Sequence, residues 1–132
     1  MDFRPTEGQR SVRELLQYLT YILAVGVESL TNPDPTLWQK ATEEAASMTL
    51  ADFDGRMIAA DAKIKELVAA MTDAQLAEEV DMWGKRTRAM HLLNMHKWAT
   101  AYKMQLFLYM KQHGHSNLNT MNLWAGMDGA MG

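Results

Sequence analysis

The sequence predicts an all-α protein, an antiparallel bundle of helices. Several stretches begin with a residue that can cap a helix, and their apolar residues then recur three and four positions apart. No stretch shows the alternation of apolar and polar residues that is typical of a strand. With 132 residues, 48% of them hydrophobic and 22% charged, the chain has the size and composition of one globular domain. We therefore expect a single domain over residues 1–132.

The first helix is predicted to run from Ser11 to about Leu30. Ser11 and Glu14 form the pattern of a capping box, in which each side chain accepts a hydrogen bond from the backbone N–H of the other residue. The turn-forming sequence TNPDP ends this helix. A second, short helix should follow through TLWQKATEEAASM, with Asp34 as its cap and Pro35 in its first turn.

A third helix is predicted to open at Thr49 and to end near Met71. Asp52, three residues after Thr49, completes the opening signal. Thr72 and Gln75 form another capping pair, which indicates a brief helical turn.

The last third of the chain is predicted to contain one long helix between two irregular segments. DMWGKR has the composition of a loop. The long helix should run from about Thr87 to His113 and end at Gly114, which can adopt the left-handed conformation of a helix cap. Residues 113–132 are rich in Asn, Ser and Gly, and we expect them to form an irregular tail packed on the bundle, anchored by Leu123 and Trp124.

Composition also restricts the cellular setting. The chain has no cysteine, which excludes disulfides, thiolate metal sites and a cysteine nucleophile. Its longest apolar run falls far short of the roughly 20 residues that span a bilayer, and the first residues are charged where a secretory signal would be apolar. We therefore predict a cytoplasmic protein that does not enter a membrane.

The charges are distributed unevenly along the chain. No Asp or Glu occurs from Met82 to Met127, whereas six Lys and Arg residues lie there. This pattern is typical either of a basic surface for an anionic partner or of a basic helix packed beside an acidic one. The cations are scattered around the helix and no nucleic-acid motif accompanies them, which favours the second interpretation. We do not predict nucleic-acid binding.

One face of the last helix carries the residues of greatest chemical interest. Residues three and four apart share a face of a helix, which aligns one aromatic and polar stripe: His91, Met95, Trp98, Tyr102, Gln105 and Tyr109. The stripe is typical either of a core seam or of a pocket wall with a few convergent polar groups. His91 and His96 are five apart, not the four at which two histidines of one helix bind the same ion.

Several blocks of sequence in the same order resemble the DinB-like superfamily of DinB/YfiT type, a group of bacterial helical-bundle proteins. The blocks are DFRPTEGQRSVRELLQYLTY, LVAAMTDAQLAEEV, MHLLNMHKWATAYKMQLFLYMKQHG and NTMNLWAGMD. The resemblance implies a four-helix bundle. Since members usually have another helix before the first of these blocks, it also implies that this chain lacks that first helix.

The resemblance further implies a metal site, from which this sequence departs. Members typically bind a metal through three histidines, and the positions that match them are Tyr18, Trp98 and Tyr102. Of the residues that follow the last histidine, Gln105 matches. An indole cannot ligate zinc or nickel, and a neutral phenol is a poor ligand. We therefore predict a degenerate metal site without a cofactor, rebuilt as a small-ligand pocket or as a structural core.

The candidate pocket consists of five residues: Tyr18, His91, Trp98, Tyr102 and Gln105. The alternative is the metal-dependent hydrolase or thiol S-transferase activity implied by the resemblance, with zinc or nickel held by relocated ligands. His91 or His96 with a carboxylate of the middle helix would then be required. A bundle without its usual first helix leaves an apolar groove uncovered, so we also predict a homodimer.

Overall fold

A computed structural model describes residues 1–127, and it confirms the all-α class. A 3-10 turn, Leu50–Asp52, precedes the fourth helix. The helices are α1 Val12–Leu19, α2 Ile22–Ser29, α3 Leu37–Ala46, α4 Phe53–Ala69, α5 Asp73–Ala77, α6 Arg88–Gln112 and α7 Thr120–Ala125. Two three-residue strands, β1 Glu79–Asp81 and β2 Lys85–Thr87, pair antiparallel.

Helices α1 and α2 lie at the centre of the bundle, and α3, α4 and α6 pack around them. The buried apolar side chains form two separate clusters. The first joins α1 to the carboxyl-terminal half of α6 and contains Val12, Leu15, Leu16, Met48 and Tyr109. The second joins α2 to the amino-terminal half of α6 and contains Val27, Leu30 and Met95. The middle of α6 therefore lies between two cores.

The prediction of one helix from Ser11 to about Leu30 is wrong, because the helix is interrupted at Thr20 and Tyr21. The Thr20 hydroxyl donates to the Gln17 carbonyl at 2.7 Å, and its backbone N–H is shared between the carbonyls of Leu16 and Gln17. Such back-bonding bends helices. Tyr21 leaves the helical region, with φ −128°, and α2 then starts anew.

The predicted capping residues are largely confirmed. Ser11 with Glu14, the turn opened by Thr49, and Thr72 with Gln75 all form capping boxes. The predicted cap of α3 is wrong by two residues. Thr36, not Asp34, is the cap, and Pro35 therefore lies before the helix and not in its first turn. The Asp34 carboxylate accepts hydrogen bonds from the Thr36 backbone at 2.8 Å and from its hydroxyl at 2.6 Å.

The segment DMWGKR is not the simple loop that the sequence predicts. Asp81 and Lys85 pair in a short hairpin, and only residues 82–84 form its turn. With three residues in each strand, the hairpin is too short to show the alternation by which strands are recognised.

The prediction of an irregular tail is also wrong for its central part. Asn119 caps the short helix α7, which ends at Gly126 in the left-handed conformation. Leu123 anchors it as predicted, being 9% exposed, whereas Trp124 is 78% exposed. The last five positions of the predicted tail lie outside the described residues. Within residues 1–127, no helix combines the length and apolar character needed to cross a bilayer.

Candidate functional site

An open cleft of about 520 Å³ lies where the two cores meet. We call it the aromatic cleft, because five of its six lining residues are aromatic: Tyr18, Ile22, Trp38, Trp83, Trp98 and Tyr102. They come from α1, α2, α3, the hairpin turn and α6. Its volume lies in the range of small-molecule sites, about 300–1,000 Å³.

The rings of the aromatic cleft hold one another edge to face. The centroids of Tyr18 and Tyr102 lie 5.0 Å apart with the planes at 78°, and those of Trp83 and Trp98 lie 5.0 Å apart at 72°. Trp38 contacts the far side of this group through Trp83, at 5.8 Å and 75°. A T-shaped pair covers a face of only one of its two rings, so the packing fixes the rings and leaves faces for a ligand.

Trp83 occupies an unusual position at the tip of the hairpin. Its φ of 56° lies in the left-handed region, which is rare for a bulky residue, and Gly84 follows with φ 105°. The Trp83 residue is nevertheless 58% exposed. Residues held in strained conformations cluster at functional sites, so Trp83, half-covered by Trp38 and Trp98, is a candidate functional residue.

A guanidinium lies at the rim of the aromatic cleft. The Cζ atom of Arg10 is 3.9 Å from the Tyr18 ring centroid and 5.7 Å from that of Tyr102. Arg10 also lines a neighbouring groove of about 610 Å³, which shares Tyr18 and Trp38 with the cleft. Burial, followed by the neighbouring phenol of Tyr102, raises the pKa of Tyr18 to about 12.

Of the five residues predicted to form a pocket, three lie in the aromatic cleft. Tyr18, Trp98 and Tyr102 line it, whereas His91 and Gln105 do not. His91 is 3% exposed, and its Nε2 atom lies 3.2 Å from the Val80 carbonyl oxygen of β1. Gln105 Nε2 donates to the Tyr109 hydroxyl at 2.5 Å on another side of the bundle. The stripe on α6 is therefore core at its ends and cleft wall in its middle.

Sequence reasoning missed Trp38 and Trp83. Both lie on segments whose own patterns show no site, a short amphipathic helix and a turn. Only the tertiary packing of α3 and the hairpin beside α6 brings them to the cleft. The local signal was the pair Trp83 and Gly84. A bulky apolar side chain is unfavourable at a turn position that requires a left-handed backbone.

The residues of the cleft do not fit the metal that the family resemblance implies. All three positions matching its histidines do share one cleft, as a three-ligand site requires. They supply an indole, which cannot ligate, and two phenols, of which Tyr18 has a raised pKa that keeps it neutral. The Arg10 cation lies on the Tyr18 ring. No group of three or more His, Cys, Asp or Glu side chains suited to a metal occurs within residues 1–127.

Comparison with known proteins shows the fold. No family model matches the sequence, and no curated protein matches it either. The solved crystal structure of YjoA, a DinB-like protein from Bacillus subtilis, superposes with a TM-score of 0.69. The match covers 89% of this chain and 78% of that one. This chain has a DinB-like fold. At 22% identity the likeness extends to the fold and not to the chemistry of the site.

Proposed function

We propose that this DinB-like chain is a non-catalytic binding module for a small molecule with a flat or apolar body, which it takes up in the aromatic cleft. One observation carries the proposal. The three positions that match the metal ligands of DinB-like proteins carry Tyr18, Trp98 and Tyr102, and all three line one open cleft. Aromatic rings at these positions remove the groups that would coordinate a metal and provide surfaces on which a flat ligand can stack.

The surroundings of the cleft support a binding role over a purely structural one. A residue that serves only the core is usually buried, but Trp83 is 58% exposed and Trp98 and Tyr102 are half-buried. Trp83 also retains a left-handed backbone that a glycine or asparagine would adopt at lower cost. A ligand that covers these rings would remove their remaining apolar surface from water.

The proposal is tested with N-phenyl-1-naphthylamine, an uncharged two-ring dye whose fluorescence rises in apolar surroundings. We expect saturable binding at one site, weakened about tenfold or more by Trp98→Ala, because base–ring and ring–ring stacking contribute roughly 1–3 kcal/mol. Trp124→Ala is the matched control, since Trp124 is 78% exposed on α7 and does not line the cleft.

Two results would count against the binding module. One is the absence of saturable dye binding by the folded protein. The other is equal weakening by Trp98→Ala and Trp124→Ala, which would place the dye on exposed apolar surface in general. Circular dichroism of both variants verifies that they are folded.

The competing function is the divalent-metal-dependent hydrolase or S-transferase with relocated ligands. Of its two histidines, His91 is engaged with Val80, and His96 is exposed on α6 beside a small groove formed with α7. This alternative requires stoichiometric zinc or nickel in protein purified without an affinity tag, and loss of that metal in His96→Ala. Elemental analysis measures both.

The homodimer that the sequence predicts remains part of the proposal. Its support is an exposed apolar stripe on α6, where Leu93 is 59%, Leu108 is 49% and Met104 is 40% exposed. Light scattering that gives the mass of two chains is the expected result, and a mass of 15.0 kDa would exclude the dimer.

A further inference from the structure

We propose that the ligand of the aromatic cleft is an organic anion, whose ring system lies among the tryptophans and whose carboxylate, sulfonate or phosphate group binds Arg10. This inference rests on the proposed function, and it adds a charge and an anchoring residue to it. The recognition chemistry is a charge-assisted hydrogen bond from a planar guanidinium, which matches the geometry of these anions.

Arg10 is positioned for this role by aromatic contacts rather than by a carboxylate. Its Cζ atom lies 3.9 Å from the Tyr18 ring centroid and 5.7 Å from that of Tyr102. Within the part of the chain that the structure describes, no Asp or Glu oxygen comes within 4.0 Å of it in an ion pair. A guanidinium whose neighbour is an aromatic ring and not a carboxylate retains N–H groups that can donate to a ligand. Among residues 1–127, the rim of the cleft thus presents a cationic donor that has no carboxylate partner.

The other charged residues of the adjoining groove are Arg4, Glu7 and Glu14. Arg4 and Glu14 pair with each other at 3.3 Å, and the Glu14 carboxylate also accepts from the Ser11 backbone at 2.6 Å. The charges of Arg4 and Glu14 therefore largely cancel in the groove. Glu7 is exposed and opposes an anion. Arg10 lies near two rings of the cleft and Glu7 lines only the groove, so of these two charges the positive one is in contact with the cleft.

An aromatic cluster of this kind can also bind a quaternary ammonium ion through its ring faces. Here the face of Tyr18 is already occupied by the Arg10 cation. A second cation on the neighbouring rings would be repelled by the first. The same cation attracts an anion, so the observations favour the negative ligand.

The test compares two dyes with the same skeleton. N-phenyl-1-naphthylamine is uncharged, and 8-anilinonaphthalene-1-sulfonate is the same molecule with one sulfonate. We expect Arg10→Gln to weaken binding of the sulfonate roughly five- to tenfold, as expected for one lost charge-assisted contact, and that of the uncharged dye less than about twofold. Arg13→Gln is the matched control, because Arg13 is exposed one turn away, pairs with Asp2 at 3.5 Å and lines neither the cleft nor the groove.

The outcomes separate this inference from the proposed function. If the uncharged dye binds through Trp98 but Arg10→Gln affects both dyes equally, the anion assignment is wrong and the binding module stands. If neither dye binds, both fail. Equal effects of Arg10→Gln and Arg13→Gln on the sulfonate would show general charge attraction and overturn the anchoring role. If phenyltrimethylammonium displaces the uncharged dye at a lower concentration than benzoate does, the ligand is a cation and the anion assignment is overturned.

Discussion

Two stretches of α6 carry similar residues in different surroundings. Around His91 and Met95 the helix is closed, with the two residues 3% and 1% exposed, and the polar ring of His91 has a backbone partner. Around Trp98 and Tyr102, one and two turns further on, the helix is half-buried and the rings contact one another by their edges.

The difference shows how one helical stripe serves two purposes. In the closed stretch, the buried ring of His91 has a partner within the protein, and the buried apolar side chain of Met95 contributes to stability. In the open stretch, the two cores end on either side, and the surface between them is aromatic. We expect substitutions in the closed stretch to affect folding and those in the open stretch to affect binding.

The largest effect is expected for Met95→Ala. The Met95 side chain is almost fully buried and lies so close to α2 that a Cβ atom at Gly26 would be 3.3 Å from its sulfur. Truncation of such a residue leaves a cavity and typically costs about 2–5 kcal/mol of unfolding free energy. Urea denaturation measures it. Ile58→Ala, on α4 and 71% exposed, should change the value by less than about 0.5 kcal/mol.

A smaller loss of stability is expected for His91→Leu. Leucine fills a similar volume but cannot donate a hydrogen bond. The Val80 carbonyl therefore loses its donor, which costs roughly 1–3 kcal/mol. His96→Leu is the control because His96 is exposed. Equal unfolding midpoints for the two variants would contradict a structural role for His91.

Trp83→Gly should separate stability from binding. Glycine relieves a left-handed backbone that costs about 1–3 kcal/mol, while the loss of two edge contacts costs about 0.5–1.5 kcal/mol each, so the net change should lie within about 2 kcal/mol. Affinity for N-phenyl-1-naphthylamine should nevertheless fall about tenfold, because a stacking surface is lost. A variant that unfolds far more easily but binds normally would show that Trp83 serves the fold.

The smallest effect concerns Tyr18 and appears only in alkali. Burial raises its pKa from 10.0 to about 12, so the folded state favours the neutral phenol. The resulting contribution to stability is complete below pH 10 and is lost as the pH rises through about 12. The difference in absorbance at 295 nm between the wild type and Tyr18→Phe isolates this group among the four tyrosines. A transition near pH 10 would contradict the buried site.

Most of the fold could be predicted from the sequence, because its signals are local. Caps such as Ser11 and Thr72, and the left-handed Gly114 after α6, are set by neighbouring residues. The break at Thr20 is not predictable, because a threonine within a helix does not by itself signal that the helix ends. The hairpin was missed because its strands are too short to alternate.

The site was predictable only in the part that lies on recognisable sequence blocks. Helical spacing selects Trp98 and Tyr102, the family resemblance adds Tyr18, and all three share the cleft. The prediction includes His91 because it lies on the same stripe. Its position two turns before Trp98, however, places its side chain against β1 and not in the cleft. Trp38 and Trp83 come from distant segments, and no spacing rule relates residues that only tertiary packing brings together.

The four tryptophans provide the most direct test of the central claim, that the open stretch of α6 is a ligand site. Their indole N–H signals in a ¹H–¹⁵N NMR spectrum, assigned by single Trp→Phe variants, are followed as N-phenyl-1-naphthylamine is added. We predict that the signals of Trp38, Trp83 and Trp98 shift together with one dissociation constant and that the signal of Trp124 does not move. A shift of Trp124 alone, or of none of the four, would contradict the account.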